Sequence, residues 1–211
     1  MKKLLVLAMG LIIAISGVFA QPKTSDKDLW KQAKRTAKEL VKEGWKTNGS
    51  KSIEEYLFEH RIKLRENASN QELVSDVIGQ TNVQTLNQAK RWAMINASTE
   101  YATSARQMVK GDITNELRAG IEDIKSVENF YAAYESVVAT EIQGELKLSF
   151  CLYRENKEGR IECRLYYIIN EDSASKARMR AMERAMQESE FARANAERIS
   201  EFVRERVVIE K

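Results

Sequence analysis

A chain with a single histidine and two cysteines has few routes to acid–base or nucleophilic chemistry. His60 lies between Glu59 and Arg61 in a helical pattern, and a Ser–His or Cys–His mechanism would need it beside a nucleophile. Its spacing gives it a surface or half-buried place on that helix. A hydrolase would require Cys151 beside His60, or two carboxylates, converging in one cleft. Glu141 and Glu145 flank Gly144 at the start of a predicted hairpin. Acid–base work would need one of them desolvated and its pKa raised, and nothing in the sequence marks burial there. Met179, Met182 and Met186 share one helical face. Such thioethers suit soft Cu(I), but methionine also fills irregular core space, and that second role is the one expected. No cluster has zinc-ligand spacing, and Gly79, Gly111 and Gly120 stand alone rather than in a phosphate-binding loop. The expectation is a protein that is not an enzyme, with no catalytic, metal or cofactor-binding residue.

The residues suited to recognition are aromatic. Trp30, Trp45 and Tyr56 are the candidate ligand or partner contacts, close in sequence to a lysine stripe at Lys27, Lys31, Lys34, Lys38 and Lys42. Each lysine held near an anionic lipid surface contributes about 1 kcal/mol, but a solvated outer face produces the same stripe. Three Asn-x-Ser sequences, at Asn48, Asn67 and Asn96, are read as chance matches to a glycan acceptor.

The elements that must position these groups follow from periodicity. Ser25 and Asp28 open a helix in which Leu29, Trp30, Ala33, Ala37, Leu40 and Val41 recur at helical spacing, ended by Gly44. Ser52 to Glu55 caps a second helix with Tyr56, Leu57, His60 and Leu64. A strand is predicted over 73–81. Alanines at 89, 93 and 97, then 102 and 105, with Trp92, Ile95, Tyr101 and Met108 beside them, predict a helix that sits close against a sheet. The pattern continues through Ile113, Leu117, Ile121 and Ile124. A further helix spans about 128–140. A hairpin of 146–154 and 160–169 follows, and a long helix over 173–203 is capped by Asp172 or Ser173. Its inner stripe is Ala174, Ala177, Ala181, Ala185, Ala192 and Ala196, then Ile199, Phe202 and Val203, with Arg178, Arg184 and Arg193 outward. Residues 207–211 form a short strand or fray.

Hairpin parity decides where the thiols go. Alternation groups Leu146, Leu148, Phe150 and Leu152 on one face of the first strand, and Ile161, Cys163, Leu165, Tyr167 and Ile169 on one face of the second. Matching those faces needs a four-residue loop and sends Cys151 and Cys163 to opposite sides. A three-residue loop with Gly159 left-handed would put both on one side but pair apolar with polar positions. The first arrangement is expected, with two free thiols and Cys163 buried and inert.

Met1 to Ala20 has the layout of a secretory signal peptide: Lys2 and Lys3, an apolar run from Leu4 to Val18, and a small residue before Gln21. The run is short for a membrane span, and no Cys near the cleavage edge offers a lipid attachment. The net charge of +3 includes the two leader lysines, so little charge remains to favour nucleic acid. One proline, Pro22, leaves long helices unbroken beyond it. The expected organisation is a signal peptide over 1–20, an N-terminal helical cap over 21–66 and an α+β domain over 67–211. That domain would pack a small antiparallel sheet against the alanine helix and the long C-terminal helix.

A strand ending at Ile78-Gly79, a helix with Ala89, Ala93 and Ala97, Ile142-x-Gly144 leading a strand, a second strand and a closing helix together resemble the Lpp-twenty-like family of exported bacterial proteins. N-terminal domains of the flagellar assembly T type are similar. The resemblance implies a small α+β envelope module without a shared active site, so no functional residue is carried over. The function expected is a non-enzymatic, exported bacterial envelope protein, periplasmic or outer-membrane associated without a lipid anchor, that acts as a protein-interaction or structural module. Its partner would be an envelope protein or a second copy, with no nucleic acid and at most peripheral membrane contact. The alternative is a periplasmic carrier of a small apolar ligand or lipid, held between the sheet and the N-terminal helices by Trp30, Trp45 and Tyr56.

Overall fold

The structure, a computed structural model, describes residues 24–80, 82–117 and 124–188. The leader, Gln21, Pro22, the alanine and apolar stripe from 192 to 203, Arg193 and the tail at 207–211 lie outside the described residues, as do the side chains of Ile113, Leu117, Ile121 and Ile124. The described chain runs α1 (Asp26–Lys42), β1 (Lys46–Thr47), α2 (Ile53–Glu66), β2 (Asn70–Val77), α3 (Leu86–Leu117), α4 (Ile124–Ile142), β3 (Lys147–Glu155), β4 (Ile161–Asn170) and α5 (Glu171–Glu188). The fold is α+β, as the periodicity predicts. None of the described helices is long and apolar enough to cross a membrane.

Local chemistry accounts for the helix ends. Ser25 accepts from the Asp28 N–H at the start of α1. Ser52 and Glu55 form a complete capping box on α2, which satisfies two of the N–H groups that a helix start leaves without partners. At the end of α1, Trp45 N–H bonds the Leu40 carbonyl and Gly44 N–H bonds that of Val41, with Gly44 at φ +86°. This left-handed glycine is what turns the chain back so that Trp45 lands on the sheet. The start of α5 departs from the expected cap. Helix follows strand without a break, and the Asn170 side chain accepts from Ser173 N–H.

The sheet is antiparallel in the order β1-β3-β4-β2. Its hairpin uses the three-residue loop, not the expected four. Asn156 N–H bonds the Arg160 carbonyl, Gly159 N–H bonds the Asn156 carbonyl, and Gly159 sits at φ +72°. A bulge between Leu148 and Phe150 shifts the phase of β3. Leu148 pairs with Tyr167, whereas Phe150 pairs with Tyr166, so the expected single face of Leu146, Leu148, Phe150 and Leu152 is split. The apparent mismatch vanishes because both faces of the sheet are covered. With helices over both faces, apolar side chains are accommodated on either side of the strands.

One face carries Leu73, Val77, Cys151, Cys163, Leu165, Tyr167 and Ile169 against Ala89, Ala93 and Ala97 of α3, with Ile142, Ala174 and Ala177 from the flanking helices. The alanine stripe thus brings α3 close to the strands. Farther along α3 the buried face changes partner. Ala102, Ala105 and Val109 pack with Phe130, Tyr131, Tyr134 and Val138 of α4 and Ala181, Met182 and Ala185 of α5 in a helix-only core. The other face carries Phe150, Leu152 and Tyr166 against Ala33, Ala37, Leu40, Trp45, Ile53 and Leu57. The N-terminal cap is therefore one layer of the packed body, and its β1 extends the sheet through Lys46–Tyr153 and Thr47–Leu152.

Candidate functional site

The three aromatic candidates lie in or beside the layer between the sheet and the N-terminal helices. Trp45 is buried, and its ring has the Arg154 guanidinium 4.5 Å and the Arg164 guanidinium 5.0 Å from its centroid. Its indole N–H donates to Glu43 at 3.0 Å, and Arg154 also donates to the Glu43 carbonyl at 3.0 Å. Tyr56 is half-buried, stacked on Phe150 with ring centroids 5.7 Å apart. Its hydroxyl occupies the space that a Cβ at Gly49 would need. Trp30 meets Phe58 of α2 edge-on at 5.1 Å, with the Lys34 ammonium 5.4 Å from its centroid. Among these neighbours the rings are engaged by the protein itself.

Beneath them runs a ladder of charge across the strands. Arg164 grips Asp76 through two bonds of 2.6 Å, and the two residues are direct cross-strand partners. Arg154 bonds Glu162 at 2.7 Å, also directly opposite, and Glu162 takes the Gly79 N–H at 3.1 Å. A two-pronged Arg–carboxylate contact is shorter and stronger than a neutral hydrogen bond. It holds Arg164 charged well above its ordinary range, with Asp76 as the chief cause. Burial pushes the neighbouring Tyr166 phenol up to about 12.

His60 occupies the centre of this layer and is fully buried, not at a surface or half-buried place on α2. Its ring stands edge-on to Phe150 at 5.6 Å and to Tyr166 at 5.7 Å. Nε2 lies 2.8 Å from Glu72, and since a carboxylate only accepts, Nε2 is the protonated nitrogen. Nδ1 has no hydrogen-bond partner among the described residues. Cys151 faces α3 on the opposite side of the sheet. The structure therefore separates the Cys–His pair that a hydrolase would require.

The carboxylates at the hairpin entrance are also committed. Glu141 bonds Arg180 and Arg184, each at 2.7 Å, and Glu145 lies 3.7 Å from Arg180. The Arg180 hydrogen bond, reinforced by the charge of Arg184, holds the Glu141 carboxyl below its usual range. A general acid needs the opposite shift. Met182 is buried in the helical core with Met179 and Met186 packed on it, a filling role. Arg178 does not project outward. It is buried and bonds Tyr101 and Glu171. Arg184 remains more than half exposed, and the five lysines of the α1 stripe are all exposed.

Sequence reading missed Arg154, Arg164, Asp76, Glu162 and the burial of His60. A signal was present: charges at even spacing in strands, Glu72 and Asp76 four apart and Glu162 and Arg164 two apart, mark one face of each. Only the register makes them partners. Exposed apolar side chains complete the inventory, with Trp92 at 49% and Ile95 at 42% on the outer side of α3, and Ile78 just past β2. Comparison of the chain with family models, with curated proteins and with solved structures finds no match.

Proposed function

We propose that this chain is an exported bacterial envelope protein that docks another protein and carries out no reaction of its own. Kinship with the Lpp-twenty-like proteins belongs to the same proposal. It rests on the order of β2, the alanine helix, the hairpin and the closing helix. Export rests on the leader pattern of Met1 to Ala20.

The observation that carries the docking reading is the pair Trp92 and Ile95. They lie three residues apart, so they share one face of α3, and each exposes more than two fifths of its surface. Their helix is fixed in place by Ala89, Ala93 and Ala97 against the sheet. Asn96 reaches the Asp76 carbonyl at 3.5 Å, which puts the exposed Ile78 on the adjoining strand end. A rigid tryptophan offers large contact area at little entropic cost, and such residues anchor interfaces. The carrier alternative has less support, because Trp45, Tyr56 and Trp30 are packed against Arg154, Arg164, Phe150 and Phe58.

Native mass spectrometry of protein extracted gently from its own host tests the reading. A bound second protein, or a second copy, that disappears in Trp92→Asp while the melting temperature holds is the expected result. A bare chain overturns docking. A bound lipid or small molecule retained in Trp92→Asp moves the reading to the carrier.

A further inference from the structure

The hairpin parity that overturns the expected loop also brings the two cysteines to one face. Tyr153 pairs with Cys163 and Cys151 with Leu165, so the cysteines are diagonal neighbours on the side facing α3. Their sulfurs stand 3.1 Å apart, with both thiols free and buried. A disulfide is about 2.05 Å long, so the two sulfurs stand about 1 Å beyond bonding distance. We propose that Cys151 and Cys163 are an oxidation site: they close to an intramolecular disulfide by exchange with a small disulfide oxidant, and Cys151 is the thiol that reacts first.

The geometry assigns the order. Cys163 is fully buried, whereas Cys151 keeps 9% of its surface in contact with solvent. Hydrogen bonding from Cys163 holds the Cys151 thiol below its usual range, and the ammonium of Lys90 on α3 adds to this. The same bond, together with burial, pushes the Cys163 thiol up. A thiolate is the attacking species in exchange. The Cys151 thiolate attacks one sulfur of the oxidant, and the oxidant's other half leaves as a thiolate. The Cys163 sulfur then attacks Cys151 Sγ and expels the second half, and the Cys163 proton passes to a departing thiolate. The two cysteines lose two electrons and two protons, and the oxidant leaves as two thiols.

The test uses oxidised glutathione on the purified full chain, both folded and after unfolding and refolding in the same buffer. Acid quench, alkylation under denaturing conditions and intact mass follow. Wild type is expected to lose two hydrogens and take no alkyl group, a change reversed by reductant. Cys163→Ser is expected to trap one glutathione when folded, at least tenfold faster than Cys151→Ser. Two alkyl groups on wild type after refolding overturn the pairing, and equal capture by the two folded variants overturns the order. Peptide mapping that finds glutathione on each cysteine of wild type, with no internal bond, also overturns it.

Discussion

Arg178 shows how much a single buried charge can commit a helix. It lies on α5 with only 6% of its surface exposed, and it holds Glu171 one helical stretch back and Tyr101 across on α3. A buried charge costs several kcal/mol to desolvate, and removing one partner strands the other. Arg178→Ala is therefore expected to lower unfolding stability by about 3 kcal/mol, read as a shift of the urea midpoint. Arg180→Ala, on an exposed side chain two residues on, is expected to cost less than about 1 kcal/mol. The contrast matters because the two arginines look alike in the sequence. Each sits among glutamates in a helix, and only packing tells the structural one from the surface one.

Among elements, the helix layer of α3, α4 and α5 is stitched by carboxylates. Arg106 bonds Glu135 at 2.7 Å and Glu128 at 2.9 Å, Lys110 bonds Glu128 at 2.6 Å, and Arg180 with Arg184 holds Glu141. Lys110 on Glu128, Thr103 on Glu135 and Arg180 on Glu141 are the leading reasons these carboxyls lie below their ordinary value of 4.5. A folded pKa that is depressed stabilises the fold above the unfolded value, and that contribution fades as pH falls through the folded one. Helix content followed by circular dichroism is expected to hold to about pH 5 and decline below the ordinary carboxylate range. Replacing Glu128, Glu135 and Glu141 together by glutamine is expected to flatten that decline, and an unchanged acid profile would contradict it. Most of these pairs keep one partner exposed, so the effect should shrink in high salt.

For the whole molecule, the decisive feature is a sheet covered on both sides. Covering by α1 and α2 lets Phe150, Leu152 and Tyr166 be apolar on the side opposite Cys163 and Leu165. The cap and the sheet then share one core, with Trp45 at the join. Trp45→Ala removes a buried ring and its contacts with Arg154 and Arg164, and truncation of that kind costs about 3–5 kcal/mol. Thermal unfolding by calorimetry is expected to remain a single transition at a lower temperature. A second transition of unchanged midpoint would mean that the cap melts apart from the sheet.

Much of this architecture was legible in the residues. The capped starts at Ser25 and Ser52, the stop at Gly44, the alanine spacing of α3 and the two strands of the hairpin depend on interactions within a few positions, and local sequence determines those. It put Trp30, Trp45 and Tyr56 on consecutive elements, but their ring partners, Phe58, Arg154 with Arg164, and Phe150, were set by packing. What the sequence left open was sidedness. The alternation of β3 is interrupted by one extra residue between Leu148 and Phe150, and its hairpin loop has an odd length. Either feature moves a side chain to the other face of the sheet. Both depend on what covers the strand, since α1 and α2 make the outer face a place for apolar groups. The burial of His60, the Asp76–Arg164 and Arg154–Glu162 pairs and the meeting of Cys151 with Cys163 were decided there. Each needs residues far apart in the chain to share a face, and only the tertiary register fixes which face that is.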